Sequence, residues 1–145
     1  MGNADARQVL IDGLNEDLAN EYNAVITYLL FSRLTSGAYR LQLAGFFEGE
    51  IADELNHAKI LSHKIVALGG TPTAEPVPVT LSEDNREMLQ IALRAEMDTI
   101  NRYTQRIKQA EAIGDIGLRV DLENLISDET RHKEDLERIL FNWKD

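Results

Sequence analysis

The chain has no cysteine among its 145 residues. That absence excludes a disulfide scaffold, an iron–sulfur or rubredoxin-type centre held by thiolates, and a cysteine nucleophile. Any metal must be held by nitrogen and oxygen. Basic side chains are scarce: 15 Lys and Arg stand against 25 Asp and Glu, for a net charge of −10. Such a surface argues against nucleic acid or an anionic membrane as a partner and suits a protein that draws cations. Long apolar runs are missing too. The most apolar stretch, Val25 to Leu34, holds ten residues, whereas a membrane-spanning helix needs about 20. Met1 to Asp12 has Arg7 as its only basic side chain and no apolar segment of signal-peptide type, so a cytoplasmic location is expected.

What is present is helical spacing. With 43% hydrophobic residues, the chain fits one domain, expected over 1–145, with a core large enough to fold without disulfides. Leu10, Leu14, Leu18, Val25 and Tyr28 share one face of a first helix, with Glu21 inside the stripe. Leu43, Phe47, Ile51, Ala58, Leu61 and Ile65 form a second stripe around Glu54. Leu89, Leu93, Ile100, Tyr103 and Ile107 mark a third, and Leu118, Leu122, Ile126, Leu136 and Ile139 a fourth. This i, i+3, i+4, i+7 pattern over many turns cannot come from strands. The spacing predicts helices over about 5–36, 39–68, 81–113 and 116–143. Ser36-Gly37, Gly69-Gly70 and Gly114-Asp115 supply the stops, and Thr80 to Glu83 reads as a capping box opening the third helix.

The three prolines, Pro72, Pro76 and Pro78, all fall between Gly69 and Val79, so this connection is expected to be extended. Eleven residues reach about 36 Å, close to the ~42 Å of a 28-residue helix. The expected architecture is therefore all-α: an antiparallel four-helix bundle whose second and third helices are joined by a long crossover.

The sequence also contains itself twice. A shift of 75 positions lays Glu21 on Glu96, Tyr28 on Tyr103, Asp53 on Asp128, Glu54 on Glu129 and His57 on His132. Leu14/Leu89, Leu18/Leu93, Leu43/Leu118, Ile51/Ile126 and Leu61/Leu136 match as well. Duplication of a helical hairpin for packing alone explains the leucines. It does not explain four glutamates and two histidines kept in register on apolar faces.

Glu and His three apart lie on one helix face and can address one ion. In an antiparallel bundle, Glu21, Glu54, His57, Glu96, Glu129 and His132 converge from four helices. Four carboxylates in a dry core are strongly unfavourable unless protonated or paired, and two divalent cations would neutralise them. Carboxylates with one imidazole per ion suit iron or manganese, and zinc less well.

On these motifs the chain, over about residues 5 to 143, resembles the ferritin-like superfamily and in particular its bacterioferritin-type members. The resemblance implies two iron ions per subunit. It makes Glu21 and Glu96 terminal ligands, Glu54 and Glu129 bridges, and His57 and His132 ligands to one iron each. The implied reaction is oxidation of Fe(II) to Fe(III) by O2 or H2O2, with or without storage of a ferric mineral. Three positions depart from the pattern. Leu55 stands where a haem-ligating methionine would fall, so haem is not expected. Gly49 replaces an inner-wall histidine, and the sequence given ends at Asp145 without the short fifth helix of the 24-subunit cages.

Two other functions compete. A rubrerythrin-like peroxide-reducing enzyme would want a further glutamate where Thr99 stands, and often a cysteine-rich domain. A structural bundle could hold zinc or nothing. Tyr28 and Tyr103 are candidates for hydrogen bonds to a bridging carboxylate, or for electron donation. Asp53 and Asp128 are read as solvated surface in preference to partners of the histidines, His63 as exposed, and Trp143 as packing at a helix end or subunit contact. Ile26, Leu29, Leu30 and Phe31 lie off the first stripe, which predicts at least a homodimer along that face.

Overall fold

The computed structural model describes residues 2–144; Met1 and Asp145, the ends of the expected domain, lie outside the described residues. Its elements are four helices: α1 (Asn3–Leu34), α2 (Arg40–Ala67), α3 (Asn85–Ala112) and α4 (Ile116–Leu140). Each lies beside two others, in the order α1, α2, α4, α3 around a square. The turns α1–α2 and α3–α4 are short, as the sequence predicts. Ser36 and Asn85 exchange hydrogen bonds at 3.1 and 2.7 Å, tying the end of α1 to the start of α3, so these two helices also run antiparallel.

Two boundaries differ from expectation. The third helix opens at Asn85, not Thr80, because Asp84 and not the Thr80 box caps it: its side chain accepts from Arg86 N at 3.2 Å. A carboxylate at the N-cap binds an orphan amide better than a hydroxyl further out. The fourth ends at Leu140, leaving Trp143 to pack half-buried against the core, its ring 6.3 Å from that of Tyr39. The Gly114-Asp115 stop is as read. Gly114 adopts φ +73, which a side chain would disfavour, and Asp115 accepts from Leu118 N at 3.0 Å.

The crossover lies along α1. Asn15 donates to Thr71 O and accepts from Thr73 N; Tyr22 Oη donates to Thr73 O. Asn23 donates to the carbonyls of Val77 and Pro78, and Val77 N to Ala19 O. Prolines suit this strand-like strap, since they have no amide hydrogen left wanting a partner.

The apolar stripes build two cores. One gathers Leu10, Leu14, Leu18, Leu61, Ile65, Leu118 and Leu122; the other Phe31, Leu43, Phe47, Met88, Leu89 and Leu136. Each fully buried leucine contributes about 1.5–3 kcal/mol. Along every helix the candidate ligands fall between the two, so a polar layer is clamped by apolar packing at both ends. Phe31 corrects the reading of the first helix: it is fully buried in the second core, against Phe47 at 5.6 Å between ring centres. Ile26 and Leu30 are half-buried and Leu29 is exposed. Among the described residues no helix is long and apolar enough to cross a membrane.

Candidate metal centre

All six residues singled out by the repeat meet in that polar layer. Glu21, Glu54, His57, Glu96, Glu129 and His132 are each at most 4% exposed. They form two groups of four whose nearest side-chain donor atoms lie within 4.8 Å of one another: Glu21, Glu54, His57 and Glu129, and Glu54, Glu96, Glu129 and His132. Glu54 and Glu129 belong to both. His57 Nδ1 lies 3.0 Å from Glu129, 3.6 Å from Glu54 and 3.8 Å from Glu21. His132 Nδ1 lies 3.1 Å from Glu54, 3.6 Å from Glu96 and 3.7 Å from Glu129.

The second nitrogen of each ring is taken. His57 Nε2 is 3.0 Å from Asp128, and His132 Nε2 is 3.0 Å from Asp53. A carboxylate can only accept, so Nε2 carries the hydrogen and Nδ1 faces inward. This corrects the reading of the two aspartates as plain solvated surface: they are partly exposed, but each orients the histidine of the other half. Tyr28 Oη donates to Glu96 at 2.5 Å, and Tyr103 Oη to Glu21. The tyrosines thus reach across the bundle to Glu21 and Glu96, not to Glu54 or Glu129.

Charge in this layer is held by protons. Burial, reinforced by Glu54, lifts Glu21 and Glu129 well above the usual carboxylate range. Burial opposes charge on the imidazoles, but the surrounding glutamates outweigh it and hold His57 and His132 protonated well above their ordinary range. Burial also works against a charged Glu54, yet Glu21 and the two histidines hold it below the ordinary range.

The donor set fits a metal pair. Both oxygens of Glu54, one each of Glu21, Glu96 and Glu129, and both Nδ1 atoms are buried without a hydrogen-bond partner. Buried polar atoms are nearly always satisfied, so seven that face one another with no hydrogen bond outside the cluster form a set that could hold metal ions. The donors are carboxylate oxygens with one imidazole per group, a set suited to iron or manganese.

Three participants escape the sequence reading. Glu50 puts Oε2 2.7 Å from His132 Nε2 and forms a third potential metal-holding group with Asp53 and His132. Its repeat mate is Leu125, so the 75-residue register gives no hint of it. Asp17 and Arg106 form a buried ion pair, with contacts of 2.7 and 3.1 Å. Burial lifts the Asp17 carboxyl and Arg106 offsets that in part. Gly13 makes room for the guanidinium, which a Cβ there would strike. Arg106 lies beside the third stripe, yet its charge is spent on Asp17 and not on the six candidates.

The ferritin-like domain model matches residues 11–145. The bacterioferritin of Streptomyces coelicolor is 30% identical over 129 residues, which are 88% of this chain and 77% of that protein. A bacterioferritin of Mycobacterium tuberculosis is 30% identical over 125 residues, 86% of this chain and 79% of its own. Among solved structures, a ferritin-like, diiron-carboxylate protein from Bacillus anthracis superposes with a TM-score of 0.92 at 48% identity, covering 97% of this chain and 99% of that one. The bacterioferritin of Rhodobacter capsulatus, solved with a metal-free dinuclear site and haem iron, gives 0.82 at 28% identity, over 92% and 84% of the two chains.

Proposed function

The chain belongs to the ferritin-like domain family, and we propose that it is a di-iron ferroxidase that oxidises Fe(II) to Fe(III) with O2 or H2O2. The observation that carries this reading is the pair of four-residue groups joined through Glu54 and Glu129. Glu21 and His57 would hold one ion and Glu96 and His132 the other, with Glu54 and Glu129 available to both. Bound iron supplies the one-electron chemistry, two ions together giving the two electrons that reduce peroxide to water.

The chain's own groups do the rest. Asp128 and Asp53 fix the imidazoles so that Nδ1 is presented as a donor. Tyr28 and Tyr103 hold Glu96 and Glu21 in place through one oxygen, leaving the other free for an ion. Two apolar cores close the layer at its two ends and strengthen the electrostatic contacts inside it. A rubrerythrin-like reaction has less support, since the Thr99 hydroxyl turns back to Ala95 O at 2.8 Å and offers no carboxylate.

The protein works as a homo-oligomer, at least a dimer, through the α1 surface that carries Ile26, Leu29 and Leu30, and within the cytoplasm. Leu55, 46% exposed, gives haem iron no ligand. Whether the assembly stores a mineral depends on its size, which sedimentation with iron analysis reads directly.

The test is anaerobic loading with two Fe(II) per chain followed by O2 or H2O2. The expected result is rapid formation of two Fe(III) per chain, abolished in Glu54→Ala. Oxidation no faster than in buffer, or unchanged in that variant, overturns the reading.

A further inference from the structure

Among the described residues, two openings reach side chains of the Glu96–His132 group: one touches Glu96 and the shared Glu129, the other the outer side of His132. A cavity of about 140 Å3 between α1, α3 and the crossover is lined by Tyr28, Ala92, Glu96, Thr99 and Glu129. On the opposite side, an open depression of about 340 Å3 is lined by Glu50, Asp53, Arg131 and His132. Glu21 and His57 line neither.

The repeat shows why the halves differ, since mates can be compared position by position. At the Glu21 end, Asp17 and Arg106 fill the space with a buried ion pair. Their mates are Ala92 and Phe31, and the small Ala92 lines the cavity at the Glu96 end. Leu125 is 2% exposed in the first core, whereas its mate Glu50 contacts His132 and faces the depression. Asp128, which holds His57, is itself pinned by Arg131 at 2.6 Å. Asp53, which holds His132, has Asn56 where Arg131 would be and is more exposed, 49% against 29%. Ala92, Glu50 and the Asn56 beside Asp53 all leave the Glu96–His132 half the more open of the two.

We infer that the two metal positions are functionally unequal: Glu96–His132 is an exchangeable position open to water and small molecules, and Glu21–His57 is a closed, retaining one. The inference rests on the two-metal reading above but not on its redox chemistry. An ion leaves only when incoming ligands replace the protein's donors one by one. At Glu96–His132 a displacing ligand can approach from either opening, with Glu50 and Asp53 ready to receive the ion. At Glu21–His57 the same displacement requires helices to part.

Protein loaded anaerobically with two Fe(II) per chain and challenged with ferrozine should release iron in two equal phases. The first is expected to be at least tenfold faster than the second. Crystals of the loaded protein soaked briefly in the chelator should lose density at Glu96–His132 first. Glu50→Leu, which puts the apolar residue of position 125 at the mouth of the depression, should slow the fast phase. Release of both ions in one phase, or first loss from Glu21–His57, overturns the inference even if Fe(II) oxidation is intact. Two-phase release without oxidation upholds it and removes only the ferroxidase reading. A chain that takes up no metal removes both.

Discussion

Asp128 on α4 meets His57 on α2 at 3.0 Å across 71 residues of chain, and Asp53 repays the contact to His132 from the other half. Each hairpin therefore orients the buried, inward-facing histidine of its neighbour. Removing a carboxylate that orients a ligating imidazole costs about 10- to 100-fold in metal affinity. Asp128→Ala and Asp53→Ala are expected to weaken Fe(II) or Co(II) binding by that factor, read by anaerobic titration, with helix content unchanged by circular dichroism.

Metal uptake should release protons. In the folded, metal-free chain, Glu21, Glu129, His57 and His132 all hold protons above their ordinary ranges. The unfolded chain loses them at about 4.3 for Glu and 6.5 for His. The native state thus binds more protons than the unfolded one above about pH 5, so metal-free stability falls as pH rises. Calorimetric titration of Fe(II) in two buffers of different ionisation heat should show proton release. Metal affinity should rise with pH, and the melting temperature should rise with metal concentration.

The Asp17–Arg106 pair stands apart from the metal, yet it is buried. Breaking one partner of a buried pair leaves an uncompensated charge and costs about 3–5 kcal/mol. Arg106→Met is expected to lose stability on that scale in urea unfolding, and the double change Asp17→Leu with Arg106→Met to recover most of it. Two single losses that simply add would refute the coupling.

Asp115 caps α4 and forms an ion pair with Lys64. Partial burial works against its charge, but Lys64 and the Leu118 amide outweigh that and hold its carboxyl below the ordinary range. The contribution is present above the unfolded value of about 3.9 and is lost as pH falls through the lower folded value. Asp115→Ala should cost about 1 kcal/mol at pH 7. The difference from the parent should shrink as pH drops below about 4, measured by denaturant midpoints at both pH values.

The fold and the six convergent residues were legible because both obey a period. Heptad-like stripes and the 75-residue register need no coordinates to be seen. What escaped was whatever breaks the repeat. Glu50 faces Leu125 in register and so looks like a surface acid. Arg106 and Asp17 lie beside the stripes and become interior only because Gly13 lets a guanidinium in. Phe31 reads as an outer-face residue because the first helix is apolar nearly all round, and periodicity cannot rank two apolar faces. Asp84 and not Thr80 is the cap because several capping residues stand in a row and the Asp84 carboxylate is the one that reaches the Arg86 amide.

The crosswise contacts carry a consequence for how such a chain can change. A hairpin of half this length, paired with a copy of itself, could make every one of them, but any substitution would then alter both metal positions at once. Linking the two copies through the crossover frees each from the other. Glu50 without a second glutamate at position 125, and Asp17 without a second aspartate at position 92, are differences that a pair of identical hairpins could not carry.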